Sequence, residues 1–149
     1  MPNRWFEDFE VGETIVSAGK TMTEGEMMAF AWSYDPQPIH IDAQAAAATA
    51  YGGLIGSGWQ LGAVAFRLFM STNPFADGAS LGSPGCDELR WLHPVRPGDT
   101  VFTHVSITGK RLSNSKPDRG LVNLDWAVIN QNDETLMTMK SVQLVRCRE

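Results

Sequence analysis

Apolar side chains in the first half of the chain recur at the spacing of helices. Thr23 and Glu26 have the S/T-x-x-E spacing of a capping box, and the residues after them supply an apolar face, namely Met27, Met28, Phe30, Ala31 and Tyr34. Two prolines within residues 35–38 must end this helix, because proline has no amide donor. Asp42 can cap a second short helix over residues 43–50, which a Gly-Gly pair then stops.

A third helix is predicted to begin at Ser57 or Gly58. Its apolar side chains cover most of its circumference: Trp59, Ala63, Val64, Phe66, Leu68 and Met70. Because a helix that is apolar on nearly every side is usually buried, we expect it at the centre of the molecule, with Trp59, Phe66 and Phe69 in the core. The residues that follow, 71–85, are rich in Asn, Pro, Asp, Gly and Ser and predict a loop.

The second half of the chain has the pattern of strands. Four segments are rich in Val, Ile, Thr and aromatic residues, at 88–92, 100–108, 120–130 and 135–146. In the second of them Val101, Val105 and Ile107 alternate with polar residues, which is the two-residue period of a half-buried strand. Turn residues precede the second segment and also separate the third segment from the fourth. Because helices are predicted in the first half of the chain and strands in the second, we expect an α+β protein, in which an antiparallel sheet surrounds one buried helix.

Composition narrows the class of protein. A length of 149 residues, 43% of them hydrophobic, favours a single domain over residues 1–149. A net charge of −5 argues against nucleic acid and anionic membranes as partners. No apolar run is long enough to cross a membrane, and residues 1–10 do not resemble a secretory or transit peptide. Two cysteines are too few for a disulfide scaffold, so we expect a cytoplasmic protein.

One short segment concentrates reactive side chains. Asp35 and His40 stand five residues apart, across a stretch that Pro36 and Pro38 stiffen. A carboxylate and an imidazole that reach one water form an acid–base pair. The pair therefore suits adding or removing water, or hydrolysis by an activated water. A structural role is the alternative, because aspartate before proline is common in turns and a buried histidine can bond to the backbone.

A glycine-rich turn precedes the predicted central helix. Gly52, Gly53 and Gly56 lead to Ser57 and Gly58, where the first amides of the helix are unpaired and approachable. Such a helix end stabilises a developing negative charge, as an oxyanion hole does. The segment fits neither the dinucleotide-binding fingerprint nor the nucleophile elbow, since a glycine that each requires is missing. The glycines alternatively serve the turn alone.

These segments resemble the MaoC-like dehydratases, the group of the (R)-specific enoyl-CoA hydratases. Residues 35–40 (DPQPIH) resemble the family's D-x-N-P-I-H signature, and residues 51–59 (YGGLIGSGW) resemble its entry to the central helix. Residues 87–99 (DELRWLHPVRPGD) resemble its R-F-x-x-P-V-x-x-G-D strand, and residues 9–13 (FEVGE) its usual opening. The resemblance covers nearly the whole chain in the family's order.

The resemblance implies a hotdog fold, in which an antiparallel sheet wraps a long helix and the active sites lie at a dimer interface. In that family the acid and the histidine hold the catalytic water, and an amide at the start of the helix receives the thioester oxygen. These roles fall on Asp35, His40 and Gly58. We expect the substrate to contact the turn and the helix after it, at Gly53, Leu54, Ile55, Ser57, Trp59 and Phe66.

Four residues depart from the family pattern. Gln37 stands where asparagine is usual, Tyr34 where glycine usually precedes the acid, and Ser57 where many members have histidine. Phe66 occupies the position at which some hydratases of the group place a serine. These departures bear on substrate choice and rate, and a ring at position 66 near the reacting carbons would favour short or compact acyl chains.

The sequence therefore predicts a hydro-lyase that acts on a 2-enoyl-CoA or 3-hydroxyacyl-CoA thioester, as a homodimer or a multiple of dimers. Coenzyme A thioester is the substrate, no cofactor is required, and the three histidines lack the spacing of a metal site. A thioesterase and a non-catalytic acyl-CoA-binding module are the alternatives. A group of four basic residues is either a solvated loop or a contact for the phosphates of coenzyme A: Lys110, Arg111, Lys116 and Arg119.

Overall fold

The computed structural model describes residues 3–149. A 3₁₀ turn at Phe6–Asp8 is followed by two short strands, β1 (Thr14–Val16) and β2 (Lys20–Thr21). Four helices come next: α1 (Glu24–Tyr34), α2 (Pro38–Ile41), α3 (Ala43–Ala47) and α4 (Gly58–Ser71). Four strands complete the chain: β3 (Cys86–Trp91), β4 (Thr100–Leu112), β5 (Arg119–Asn130) and β6 (Thr135–Arg146).

The strands form one antiparallel sheet in the order β1-β4-β5-β6-β3, and β2 also pairs with β4. Every second residue of β5 is buried, which gives the sheet an apolar inner face. The buried side of α4 lies in the same core as this face, through Leu61, Ala65 and Phe69. The α+β prediction of a sheet wrapped around a central helix is therefore confirmed.

The helix ends follow local chemistry. Thr23 caps α1 as predicted, because its Oγ1 accepts from the amide of Glu26 at 3.3 Å. The helix α2 was not predicted, because the two prolines were expected only to end α1. Pro38 in fact begins α2, since it occupies the first helical position, where a missing amide costs nothing. The predicted helix over residues 43–50 is wrong at its end. It stops at Ala47, because the amide and the hydroxyl of Thr49 both bond to the carbonyl of Ala46 and tighten the last turn.

Two strand predictions need correction. β4 continues past residue 108 to Leu112, because a bulge between Ile107 and Gly109 lets it pair with β5 over four more positions. Lys110 and Arg111 therefore lie on a strand and not in a loop. β1 and β2 were not predicted, since two or three residues are too few to show a period.

The central helix is buried on one side only. Trp59 and Phe66 were predicted as core, and this is wrong for the single chain: they are 61% and 51% exposed, and Met70 beside them is 37% exposed. Phe69, which packs against Trp126 of β5, is 1% exposed and does belong to the core. The reason is that the sheet covers one face of α4 and leaves the other as an apolar stripe.

Candidate active site

Asp35 and His40 lie on a short rigid segment between α1 and α3. Asp35 follows the last residue of α1, and its amide still donates to Ala31 O at 2.9 Å. Its carbonyl accepts from the amide of Gln37 at 2.8 Å, and Pro38 then begins α2, which carries His40 into the interior. His40 is 6% exposed. The backbone therefore brings the carboxylate and the imidazole side by side without a flexible loop.

The imidazole of His40 is held at both nitrogens. Its Nδ1 lies 2.7 Å from Ile55 O, and its Nε2 lies 3.2 Å from Asp35 Oδ2. Because a carbonyl oxygen only accepts, Nδ1 carries a proton and donates it to Ile55. When the ring is neutral, Nε2 has a lone pair that faces the carboxylate. When the ring is protonated, Nε2 carries a hydrogen and donates it to the carboxylate. A water that reaches both groups from the cleft would exchange protons with both.

The carboxylate of Asp35 has two further donors. Gln37 Nε2 donates to Oδ1 at 2.6 Å, and Ser57 Oγ donates to Oδ2 at 2.7 Å. Burial by itself raises the pKa of Asp35, but these two hydrogen bonds and the charge of His40 outweigh it, so the pKa lies below its ordinary value. Asp35 is therefore an ionised acceptor at neutral pH.

The turn before α4 is tied to its surroundings on both sides. The amide of Ile55 donates to Ile39 O at 3.1 Å, and that of Gly56 donates to Val95 O at 2.8 Å. The guanidinium of Arg96 donates to the carbonyls of Tyr51, Gly53 and Leu54. The start of α4 is thereby fixed next to the acid–histidine pair.

The first turn of α4 offers free amides. Among residues 3–149, the amides of Gly58, Trp59 and Gln60 donate no hydrogen bond, and Ser57 makes no capping bond to them. A Cβ at Gly58 would collide with the indole of Trp91, whose Nε1 donates to Gly58 O at 3.0 Å. Glycine therefore lets the indole and the backbone approach closely.

These groups face one cleft of about 370 Å³. Asp35, Gln37 and His40 form its polar end, together with the backbone of Gly58. Apolar side chains form its walls: Ile39, Ile55, Trp59, Leu61, Trp91 and Leu92. A polar reaction centre with an apolar channel beside it suits a ligand that has both a polar and an apolar part.

The predicted site residues do not all meet in this cleft. Asp35, His40, Ile55, Gly58 and Trp59 line it. Gly53 and Leu54 lie in the turn held by Arg96, and Ser57 is fully buried behind Asp35. Phe66 stands outside the lining and stacks on Trp126, with 6.4 Å between ring centroids. Tyr34 is 76% exposed and also lies outside the lining.

Sequence reasoning missed one wall of the cleft. Trp91, Leu92 and His93 line it. His93 is exposed, and its Nδ1 bonds to Thr135 O at 3.0 Å, just beyond the end of β3. The R-F-x-x-P-V pattern was the available signal, but it marks a strand and does not say that the end of the strand closes the cleft.

The four basic residues lie far from this cleft. Lys110 and Arg111 stand near the far end of β4, roughly 25 Å along the strand from Thr103, and the strand pairings place Thr103 level with Trp91 of the cleft. Lys110 Nζ donates to Glu7 O at 3.0 Å, and Arg119 pairs with Asp118 at 2.8 Å. Within one chain these contacts favour the structural alternative over a phosphate contact.

A sheet wrapped around α4 defines a hotdog protein, and an acid–histidine pair lies beside the start of that helix. The chain belongs to the MaoC-like domain family, whose sequence profile matches residues 8–125.

Solved and curated relatives agree with this assignment. The crystal structure of a MaoC-like dehydratase from Rhodospirillum rubrum is 32% identical with a TM-score of 0.91, over 98% of this chain and 99% of that one. The (R)-specific enoyl-CoA hydratase of R. rubrum is 32% identical over 70% of each chain. A mesaconyl-CoA hydratase from Cereibacter sphaeroides is 31% identical over 98% of this chain, which spans 42% of that longer protein.

No helix within residues 3–149 has the length and apolar character that crossing a membrane requires.

Proposed function

We propose that the protein is a hydro-lyase that adds water to a 2-enoyl-CoA thioester or removes it from the 3-hydroxyacyl-CoA. The observation that carries this proposal is the pairing of Asp35 and His40 at 3.2 Å in a cleft that Gly58 also lines. Relatives named as enoyl-CoA and mesaconyl-CoA hydratases support it at the level of the family. The substrate class and the direction of the reaction are part of the proposal.

In the proposed mechanism the amide of Gly58 polarises the thioester carbonyl, and Asp35 and His40 hold one water. The pair takes a proton from this water while its oxygen attacks the β carbon. The electrons of the double bond move onto the thioester oxygen as an enolate, which a free amide stabilises by about 3 kcal/mol. The pair then returns a proton to the α carbon. The net change is the addition of H and OH, with no electron transferred, so the proposed reaction uses no redox cofactor.

The acyl group would occupy the apolar part of the cleft. Ile39, Ile55 and Leu61 lie beside the polar end, and Trp59 and Trp91 meet edge to face with 5.0 Å between ring centroids. This wall of rings favours a compact acyl group over a long one. A contact between Phe66 and the acyl chain stays a prediction, and so do contacts at Gly53, Leu54 and Ser57.

Incubation with a short 2-enoyl-CoA and with its saturated analogue tests the function. We expect the enoyl thioester to gain the mass of one water and the saturated thioester to remain unchanged, because water adds to the double bond. Release of free thiol from both compounds would instead identify a thioesterase. Saturable binding without turnover of either would identify a binding module, and both of these results contradict the proposal.

We also propose that two copies of the chain associate through the open side of α4. Trp59, Phe66 and Met70 form an exposed apolar stripe, and Trp91 and Leu92 extend it at the end of β3. β3 is the last strand of the sheet, so within residues 3–149 its outer edge carries no neighbour. A free edge beside an apolar stripe suits a second copy, whose own edge and stripe have the same shape.

Light scattering at micromolar concentration should give twice the mass of the chain. Phe66→Glu should weaken association at least about 30-fold, because a charge enters the centre of the apolar stripe. Leu112→Glu is the matched control, since Leu112 is similarly exposed at 58% but lies at the far end of β4. A monomer mass across the micromolar range would contradict the proposed dimer, as would equal effects of the two substitutions.

A further inference from the structure

The hydroxyl of Ser57 is used differently from the side chains of Thr23 and Asp42, which also stand directly before helices. Thr23 and Asp42 accept hydrogen bonds from the amides of the helices that they begin. Ser57 precedes α4 with a backbone suited to the same task, at φ −62° and ψ 133°, yet its side chain makes no capping bond. Its Oγ donates instead to Asp35 Oδ2 at 2.7 Å, across 22 residues of sequence.

The environment of this bond makes it strong. Ser57 is fully buried, so water does not compete for the hydroxyl. Its acceptor is a carboxylate, and hydrogen bonds to ionised acceptors are shorter and stronger than those between neutral groups. The bonded atom, Oδ2, is also the atom that faces His40 Nε2. Ser57 therefore fixes the oxygen that is closest to the imidazole.

The same bond joins the two parts of the site. Asp35 stands at the end of α1, whereas Ser57 directly precedes Gly58 and its free amide. Gln37 also bonds to the carboxylate, but Gln37 is exposed and lies in the lining of the cleft. The serine is thus the buried link between the carboxylate that would bind water and the amide that would receive the thioester oxygen.

We propose that Ser57 is a positioning residue for the hydration reaction, which holds Asp35 Oδ2 in a fixed place relative to His40 and to the Gly58 amide. This inference rests on the proposed function for the reaction that it serves. The hydrogen bond from Ser57 is also among the causes that lower the pKa of Asp35. Its loss should therefore change both the geometry and the ionisation of the carboxylate.

Ser57→Ala removes the hydroxyl without adding bulk, and Ser57→Thr keeps it. The titration of the Asp35 carboxyl carbon is followed by NMR in both variants, and kcat and KM are measured on a short enoyl-CoA. For Ser57→Ala we expect a higher pKa of Asp35 than in the wild type and a kcat lower by about tenfold, with KM little changed. Ser57→Thr should keep the titration of the wild type.

Thr23→Ala is the matched control, because it removes the hydroxyl that does cap a helix. It should lower the melting temperature and leave both the Asp35 titration and kcat unchanged. An unaltered Asp35 titration in Ser57→Ala would overturn the proposal, as would the same change in Thr23→Ala. If wild-type protein hydrates no enoyl thioester, the proposed function fails, while the NMR comparison still decides whether Ser57 controls Asp35.

Discussion

Replacing Asp35 with asparagine should lower the turnover of an enoyl-CoA by about 10²- to 10⁴-fold, the usual range for loss of a general acid or base. Asparagine has nearly the shape of aspartate, so the bond from Ser57 Oγ can form to its amide oxygen. What it lacks is the negative charge that holds a water proton and balances a protonated His40. The effect should therefore fall on kcat and spare the fold.

Asp42→Asn is the matched control for this change. Asp42 caps α3 by accepting from the amides of Gln44 and Ala45, and asparagine caps equally well. The two substitutions are chemically identical and stand seven residues apart, but only Asp35 lines the cleft. If Asp35→Asn keeps more than half of the wild-type kcat, Asp35 does not have the assigned role.

His40→Asn should lower turnover by a similar factor of about 10²- to 10⁴-fold. The amide nitrogen of asparagine occupies nearly the position of Nδ1, so it can still donate to Ile55 O, while Nε2 is lost. The cavity left by the ring should reduce the free energy of unfolding by about 1 to 3 kcal/mol. Activity is therefore measured at a temperature at which circular dichroism shows the variant folded.

His104→Asn provides the comparison, since His104 lies in the middle of β4 and outside the lining of the cleft. This variant should keep the kcat of the wild type. A folded His40→Asn protein with normal turnover would remove the imidazole from the mechanism. Equal losses in the two histidine variants would mean that the assay reports damage to the fold.

Features that depend on neighbouring residues could be predicted from the sequence. The start of α1 at Thr23, its end before Pro36 and the central helix α4 all follow from capping, proline chemistry and apolar spacing. The alternation along β4 and β5 likewise predicts strands. The exposure of Trp59 and Phe66 could not be predicted, because spacing shows which residues are apolar but not what covers them.

The candidate site likewise has features that could be predicted from the sequence and features that could not. Asp35 and His40 belong to one short motif, so their proximity is encoded locally and could be predicted. The bond from Ser57 to Asp35 spans 22 residues, and that from Trp91 to Gly58 spans 33. Contacts between residues so far apart in the sequence depend on how β3 and α4 pack onto the rest of the fold. No pattern in one sequence identified the partner of Ser57 or the wall formed by Trp91.

In the proposed reaction Asp35 and His40 direct a water to the double bond of an enoyl thioester. Incubation with a short 2-enoyl-CoA in ¹⁸O-labelled water tests this step, with the label located by mass spectrometry. We expect one ¹⁸O atom in the hydroxyl group on the β carbon, an intact thioester, and no such product from Asp35→Asn within the same time. Label in a free carboxylate, or an enoyl thioester recovered without label, would contradict it.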